Sequence, residues 1–143
     1  MGRAMERARE AWVLGEVPVG AVIVLNGQLV AEGGNRTLGW NDPTAHAEVV
    51  ALRAAARQAG AARLPDVTLY VTLEPCAQCA GAAVLSRVAR LVYGASDPKT
   101  GMAGSLGNLV QDPRLNHRMP VTPGVLAHEA GELLRAFFRE RRR

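Results

Sequence analysis

Strand-like and helix-like runs alternate along this chain, and that alternation narrows the folds open to it more than any other feature. Residues 2–14 read as a helix, with Ala4, Ala8, Ala11 and Trp12 spaced as one apolar stripe. Gly15-Glu16-Val17-Pro18 breaks it. Residues 19–25 (VGAVIVL) and 28–33 (QLVAEG) read as strands joined by Asn26-Gly27, a strong hairpin signal because both positions tolerate positive φ. A loop runs from Gly34 to Asn41. Asp42-Pro43 then opens a helix, since Asp accepts from first-turn amides and Pro fits the first helical position. It extends over about 43–59, with Gly60 as its carboxyl cap. Residues 67–73 form a strand, Pro75 opens a helix to about Arg87, and 90–94 form a short strand. Residues 95–118 are loop-rich, and a last helix covers roughly 124–141. Strands that alternate with helices pair in parallel through right-handed crossovers. The expected class is therefore α/β: a mixed central sheet flanked by helices, as one domain over residues 1–143.

Composition removes several alternatives. At 143 residues the chain buries one respectable core, and 48% hydrophobic residues exclude disorder. The longest purely apolar run, Ala21 to Leu25, falls far short of the roughly 20 residues a bilayer span needs. No membrane association is expected. The amino end is polar and helix-like rather than a secretory leader, which predicts a cytoplasmic protein. The net charge is +4, and Lys99 is the only lysine among 17 basic residues. That balance suits a polyanionic partner but equally fits an Arg-rich coding bias.

Two short motifs carry chemistry: His46-Ala47-Glu48 and Pro75-Cys76-Ala77-Gln78-Cys79. In a cytosolic chain a Cys-x-x-Cys pair is a metal or a redox site rather than a structural disulfide. Cys76 and Cys79 lie three apart and share a helix face, at an amino end whose partial positive charge favours thiolate. Two thiolates and one imidazole make a zinc set with a fourth tetrahedral position left open, the mark of a catalytic site. His46 is the best third ligand, which requires the two helix starts to meet at the carboxyl ends of adjacent parallel strands. Glu48 then suits the open position as a proton shuttle. A thioredoxin-like redox pair is the competing reading, and no Trp-Cys-Gly-Pro-like stretch supports it. His-x-Glu followed by Pro-Cys-x-x-Cys is itself an established signature of zinc nucleobase deaminases.

Further segments sharpen the likeness. Thr44-Ala45-His46-Ala47-Glu48 together with the run from Thr72 to Ala82 resembles the bacterial tRNA-specific adenosine deaminases. So do Gly15 to Ala21, Tyr93 to Gly101, Gly104-Ser105-Leu106 and Asn116-His117-Arg118. The resemblance covers nearly the whole chain and implies the three-layer α/β/α cytidine-deaminase-like fold. It implies hydrolysis of adenosine to inosine at the wobble position of a tRNA anticodon, chiefly of an arginine tRNA. His46, Cys76 and Cys79 would hold one Zn2+ per subunit, and Glu48 would shuttle protons while a zinc-activated hydroxide attacks C6. Asn35 would hydrogen-bond the base, aided by the backbone around Ala47. Asp97, Lys99, Asn116 and Phe138 would contact the anticodon stem-loop, and two subunits would share that surface as a homodimer.

Several of these positions also have an ordinary structural reading. Asn35 can read a purine edge or turn a Gly-rich loop. Asp97 can accept from a ribose hydroxyl or initiate a turn with Pro98. Phe138 can stack on a splayed base or pack in the core at helical spacing with Leu134. Lys99 and His117 can meet phosphates or face solvent. The run Arg139-Glu140-Arg141-Arg142-Arg143 can clamp phosphates or simply end a helix in water. Two other activities keep part of the pattern: deamination of a free base such as guanine or cytosine, and zinc-stabilised RNA binding without catalysis.

Overall fold

The hairpin at Asn26-Gly27 joins the first two strands of the sheet. In the computed structural model, which describes residues 1–142, β1 (Gly20–Leu25) and β2 (Gln28–Gly34) pair antiparallel across it. Asn26 at φ 52° and Gly27 at φ 78° both take the left-handed conformation that a two-residue hairpin turn requires. On its other side β1 pairs antiparallel with β3 (Val67–Leu73), and β3 pairs parallel with β4 (Arg90–Ala95). A two-residue β5 (Val121–Thr122) adds to β4 in parallel, giving the order β2-β1-β3-β4-β5. The mixed sheet expected from the sequence is thus present. β5 is an addition to it, invisible beforehand because two residues between Pro120 and Pro123 carry no periodicity.

Helices cover both faces. α1 (Gly2–Val13) rides so close on β1 and β2 that a Cβ at Gly20 would lie 1.9 Å from the Ala4 carbonyl, and one at Gly34 2.9 Å from that of Arg7. Gly33, one residue before Gly34, instead meets Val50 of α2 (Ala47–Ala59) at 2.6 Å. Successive strand residues point to opposite faces, so α1 and α2 lie on opposite sides of the sheet. α3 (Ala77–Leu85) packs beside α2. α4 (Ala127–Arg141) lies over β3 and β4 and meets α1 through an edge-to-face contact of Trp12 with Phe137 at 5.3 Å. This is the three-layer α/β/α arrangement. Ile23, Leu69, Val71 and Leu91 fill the sheet's interior, and Ala51, Ala80 and Ala83 let the helices approach it closely.

The helix starts differ from the sequence reading. α2 begins at Ala47 rather than Pro43, because the Asp42 carboxylate accepts from the Thr44 amide at 2.8 Å and its hydroxyl at 2.7 Å and closes a local turn. α3 begins at Ala77 rather than Pro75 and ends at Leu85, two residues before Arg87, which turns out of the helix at φ 61°. α4 begins at Ala127, three residues past Gly124. Gly60 caps α2 at φ 65°, as expected. β2 and β3 are each antiparallel to β1 and so run in the same direction. The starts of α2 and α3 therefore share one end of the sheet, although β1 separates the two strands that were expected to be neighbours.

Candidate active site

The later helix starts place chemistry at the helix ends. His46 and Cys76 become the residues that precede the first turns of α2 and α3, both in extended backbone. Cys79 sits within the first turn of α3 and is fully buried. The His46 Nδ1 atom lies 3.5 Å from Cys76 Sγ and 3.4 Å from Cys79 Sγ. All three donor atoms fall within 4.8 Å of one another, and both thiols are free. A single ion can reach the three, and an imidazole wedged against both sulfurs is foreign to a simple dithiol redox pair. The donor set of one nitrogen and two sulfurs fits a divalent metal of borderline softness.

The local electrostatics already favour anionic sulfur. The Cys76 thiol is held down to about 4 by hydrogen bonds, first from Cys79 and then from His46. Cys79 is pushed up as the donor of that pair and by its burial. His46 is held above its ordinary value by its hydrogen bond to Cys76. Glu48, in the first turn of α2 and 5% exposed, is raised to about 7, chiefly by burial and further by the nearby Cys76. A carboxyl group near 7 exchanges protons readily at neutral pH.

Asn35 lies at the carboxyl end of β2, and its side chain points back at α2. Its Oδ1 accepts from the Ala47 amide at 2.8 Å, satisfying one of the four amides left over at a helix start. The Ala47 amide is thereby engaged inside the fold, and the Asn35 amide nitrogen remains as a donor. Both the turn and the helix start thus depend on the residue singled out for reading the base.

Two buried carboxylates hold the loops around the site, and sequence reasoning assigned neither a role. Glu16, 1% exposed, accepts from the Leu38 and Gly39 amides at 3.1 and 2.8 Å and from the Thr37 hydroxyl at 3.3 Å. Glu74, 2% exposed, accepts from the amides of Asp97, Ala103 and Ser105 and from the Ser105 hydroxyl. Burial pushes its carboxyl up, but these donors prevail and hold it below its ordinary value. Their one sequence signal is position: each precedes a proline at the edge of a strand, in Glu16-Val17-Pro18 and Glu74-Pro75.

The remaining predicted residues separate into engaged and exposed. Asp97 closes a turn, accepting from the Lys99 and Thr100 amides at 3.0 and 3.2 Å and from the Thr100 hydroxyl at 2.6 Å. Lys99 and Asn116 are exposed on the surface. Phe137, not Phe138, supplies the core contact of α4: Phe137 is 3% exposed and Phe138 is 44% exposed. His117 is half-buried, and one of its nitrogens is engaged: Nε2 lies 2.6 Å from the Val88 carbonyl. Arg141 folds back over the Phe137 ring at 4.3 Å and donates to the Gly15 carbonyl at 3.3 Å. Arg143 lies outside the described residues.

An open α/β sheet with a nitrogen–sulfur metal set and a buried carboxyl at one sheet end defines a hydrolytic deaminase. The family model of MafB19-like deaminases matches residues 1–142. A tRNA-specific adenosine deaminase of Bacillus subtilis is 49% identical over 143 residues, spanning 100% of this chain and 89% of its own length. The enzyme of the same name from Haemophilus influenzae is 50% identical, over 99% of this chain and 83% of its own. With relatives this similar over nearly all of this chain and more than four fifths of their own length, the chain belongs to the bacterial tRNA-specific adenosine deaminases. A solved structure from a study of A-to-I editing by tRNA:A34 deaminases superposes with a TM-score of 0.89 at 46% identity, covering 92% of this chain and 95% of that one. A guanine deaminase from Nitrosomonas europaea superposes at 0.81 with 26% identity, over 95% and 81% of the two chains. Among the described residues no helix is long and apolar enough to cross a membrane.

Proposed function

We propose that this chain hydrolyses adenosine to inosine at the wobble position of a tRNA anticodon, with an arginine tRNA as the expected substrate, and that residues 1–143 act as one catalytic domain in the cytoplasm. The observation that carries this reading is the convergence of His46, Cys76 and Cys79 beside a buried Glu48, in a chain half identical to tRNA-specific adenosine deaminases. The three donors fit one zinc ion per subunit. Zinc held there supplies Lewis-acid activation of water.

The chain's own groups do the rest. Glu48 takes a proton from the water that attacks C6 and delivers one to the exocyclic nitrogen. The C6–N6 bond breaks, ammonia leaves, and inosine remains. The proton exchange suits a carboxyl raised to about 7. Asn35, fixed through its Oδ1 to the Ala47 amide, offers its amide nitrogen to an acceptor on the purine. Glu74 holds the turn that presents Asp97 and Lys99, and these residues with Asn116 and the exposed Phe138 contact the anticodon loop. The protein acts as a homodimer through the α2–α3 face, where a groove of about 630 Å3 runs between Val49, Leu52, Ala56, Ala82 and Leu85.

The test is parallel incubation of metal-loaded protein with an anticodon stem-loop bearing wobble adenosine, with free adenosine and with guanine. Inosine in the RNA alone is expected. Intact adenosine in the stem-loop overturns the reading, and turnover of guanine would instead align the chain with its Nitrosomonas neighbour.

A further inference from the structure

The loop between β2 and α2 carries a large aromatic side chain for which the catalytic reading has no use. Trp40 is 54% exposed, next to Leu14 at 58%. These two line a cavity of about 340 Å3 with Glu16, Arg36 and Gly39. Three features set it apart from an incidental surface dent. The loop is held rigidly, because the buried Glu16 carboxylate accepts from Thr37, Leu38 and Gly39 and the Trp40 amide donates to the Arg36 carbonyl at 2.9 Å. The backbone that carries the ring is therefore held in place, and little loop ordering remains to oppose a ligand. The Arg36 Nη1 is buried without a hydrogen-bond partner, a condition that native folds seldom leave unmet. Finally, Arg141 of α4 donates to the carbonyl of Gly15, which lies in the chain between the two wall residues Leu14 and Glu16, and so pins that wall.

A π face beside a guanidinium in need of an acceptor selects a nucleotide in an RNA strand, the base stacking and the phosphate pairing with arginine, while the one carboxylate in the wall, Glu16, already has its oxygens occupied by the loop donors. The cavity is tied to the reacting centre through the backbone of its own wall. Arg36 follows Asn35 directly, and its amide donates to the Ala45 carbonyl at 2.9 Å, one residue before His46. We infer that the Leu14–Arg36–Trp40 cavity is a subsite for a nucleotide flanking the edited adenosine, with the base stacked on Trp40 and a phosphate oxygen on Arg36. This rests on the RNA substrate proposed above and adds to it a residue that fixes register on the strand.

The chain has two tryptophans. Trp12 packs edge-on against Phe137, so Trp12→Phe keeps an aromatic there and leaves Trp40 as the sole emitter. Titrating that variant with the wobble-adenosine stem-loop should quench Trp40 emission. Trp40→Ala should raise KM for the stem-loop about 10-fold, Trp40→Phe should restore most of the loss, and the effect should fall on KM rather than kcat. Arg36→Ala should lower the slope of log Kd against log salt by about 1. Inosine formation with unchanged Trp40 emission and an unchanged KM in Trp40→Ala overturns the subsite and leaves the catalytic reading standing. Quenching by the stem-loop in a protein that forms no inosine does the reverse.

Discussion

Glu48 touches water on almost none of its surface, yet the proposed reaction passes a proton through it. Glu48→Gln keeps the shape and removes the exchangeable proton. Turnover should fall by roughly 10²–10⁴-fold. Metal content should hold, and the melting temperature should not drop, because the amide puts no charge in a buried place. Elemental analysis, a thermal melt and inosine yield on one preparation check all three. Cys79→Ala acts differently. It removes a donor from a site whose occupancy is linked to folding, so the metal is lost and the melting temperature falls; unchanged metal content would refute Cys79 as a ligand. These residues were legible in the sequence because their chemistry demands them at fixed short spacings. The Asn35–Ala47 bond was not legible. A side chain that reaches an amide twelve positions on leaves no periodic trace, and Asn in a Gly-rich loop looks like any turn residue. The His117 contact was hidden for the same reason, since its partner is a backbone carbonyl on a distant segment.

At the scale of elements, what holds the site together is largely backbone satisfied by side chains. Glu16→Ala leaves the Leu38 and Gly39 amides without an acceptor, at a cost of roughly 1–3 kcal/mol. The expected outcome is a lower denaturation midpoint together with faster hydrogen exchange at those two amides, and Glu16→Gln, with one oxygen left, should fall between. Exchange at Leu38 and Gly39 that matches the parent chain would show that the loop is held by something else. Sequence patterns gave the helices and strands their order and the start of α1, but misplaced the starts of α2, α3 and α4 by two to four residues. Asp42-Pro43 has the composition of a helix start, and its side chain instead spends its acceptor on a local turn. Glu16 and Glu74 went unassigned because a lone carboxylate reads as surface charge. Only the fold reveals that backbone donors converge on it.

Over the whole molecule, the strand order was the part least open to sequence reasoning. Alternation implies crossovers, but nothing local says that the first strand of the hairpin inserts between β2 and β3. That insertion still leaves α2 and α3 starting at one sheet end and lying side by side, so the metal site and an apolar groove occupy the same two helices. Leu85 lines this groove and is 74% exposed, a large price in apolar surface for a monomer. A second copy seated across the groove would cover it. A stable interface needs roughly 800 Å2 from each partner, so the contact would extend beyond the groove itself. Leu85→Arg should therefore convert a dimer to a monomer in sedimentation velocity. Its melting profile at low concentration should match the parent's, because an exposed side chain contributes little to the monomer's own core. Because the subunits of the proposed dimer share the RNA surface, stem-loop deamination should fall with the dimer and recover as protein concentration rises. A parent chain that sediments as a monomer at every concentration, or a Leu85→Arg variant that remains dimeric, would place any partner elsewhere on the molecule.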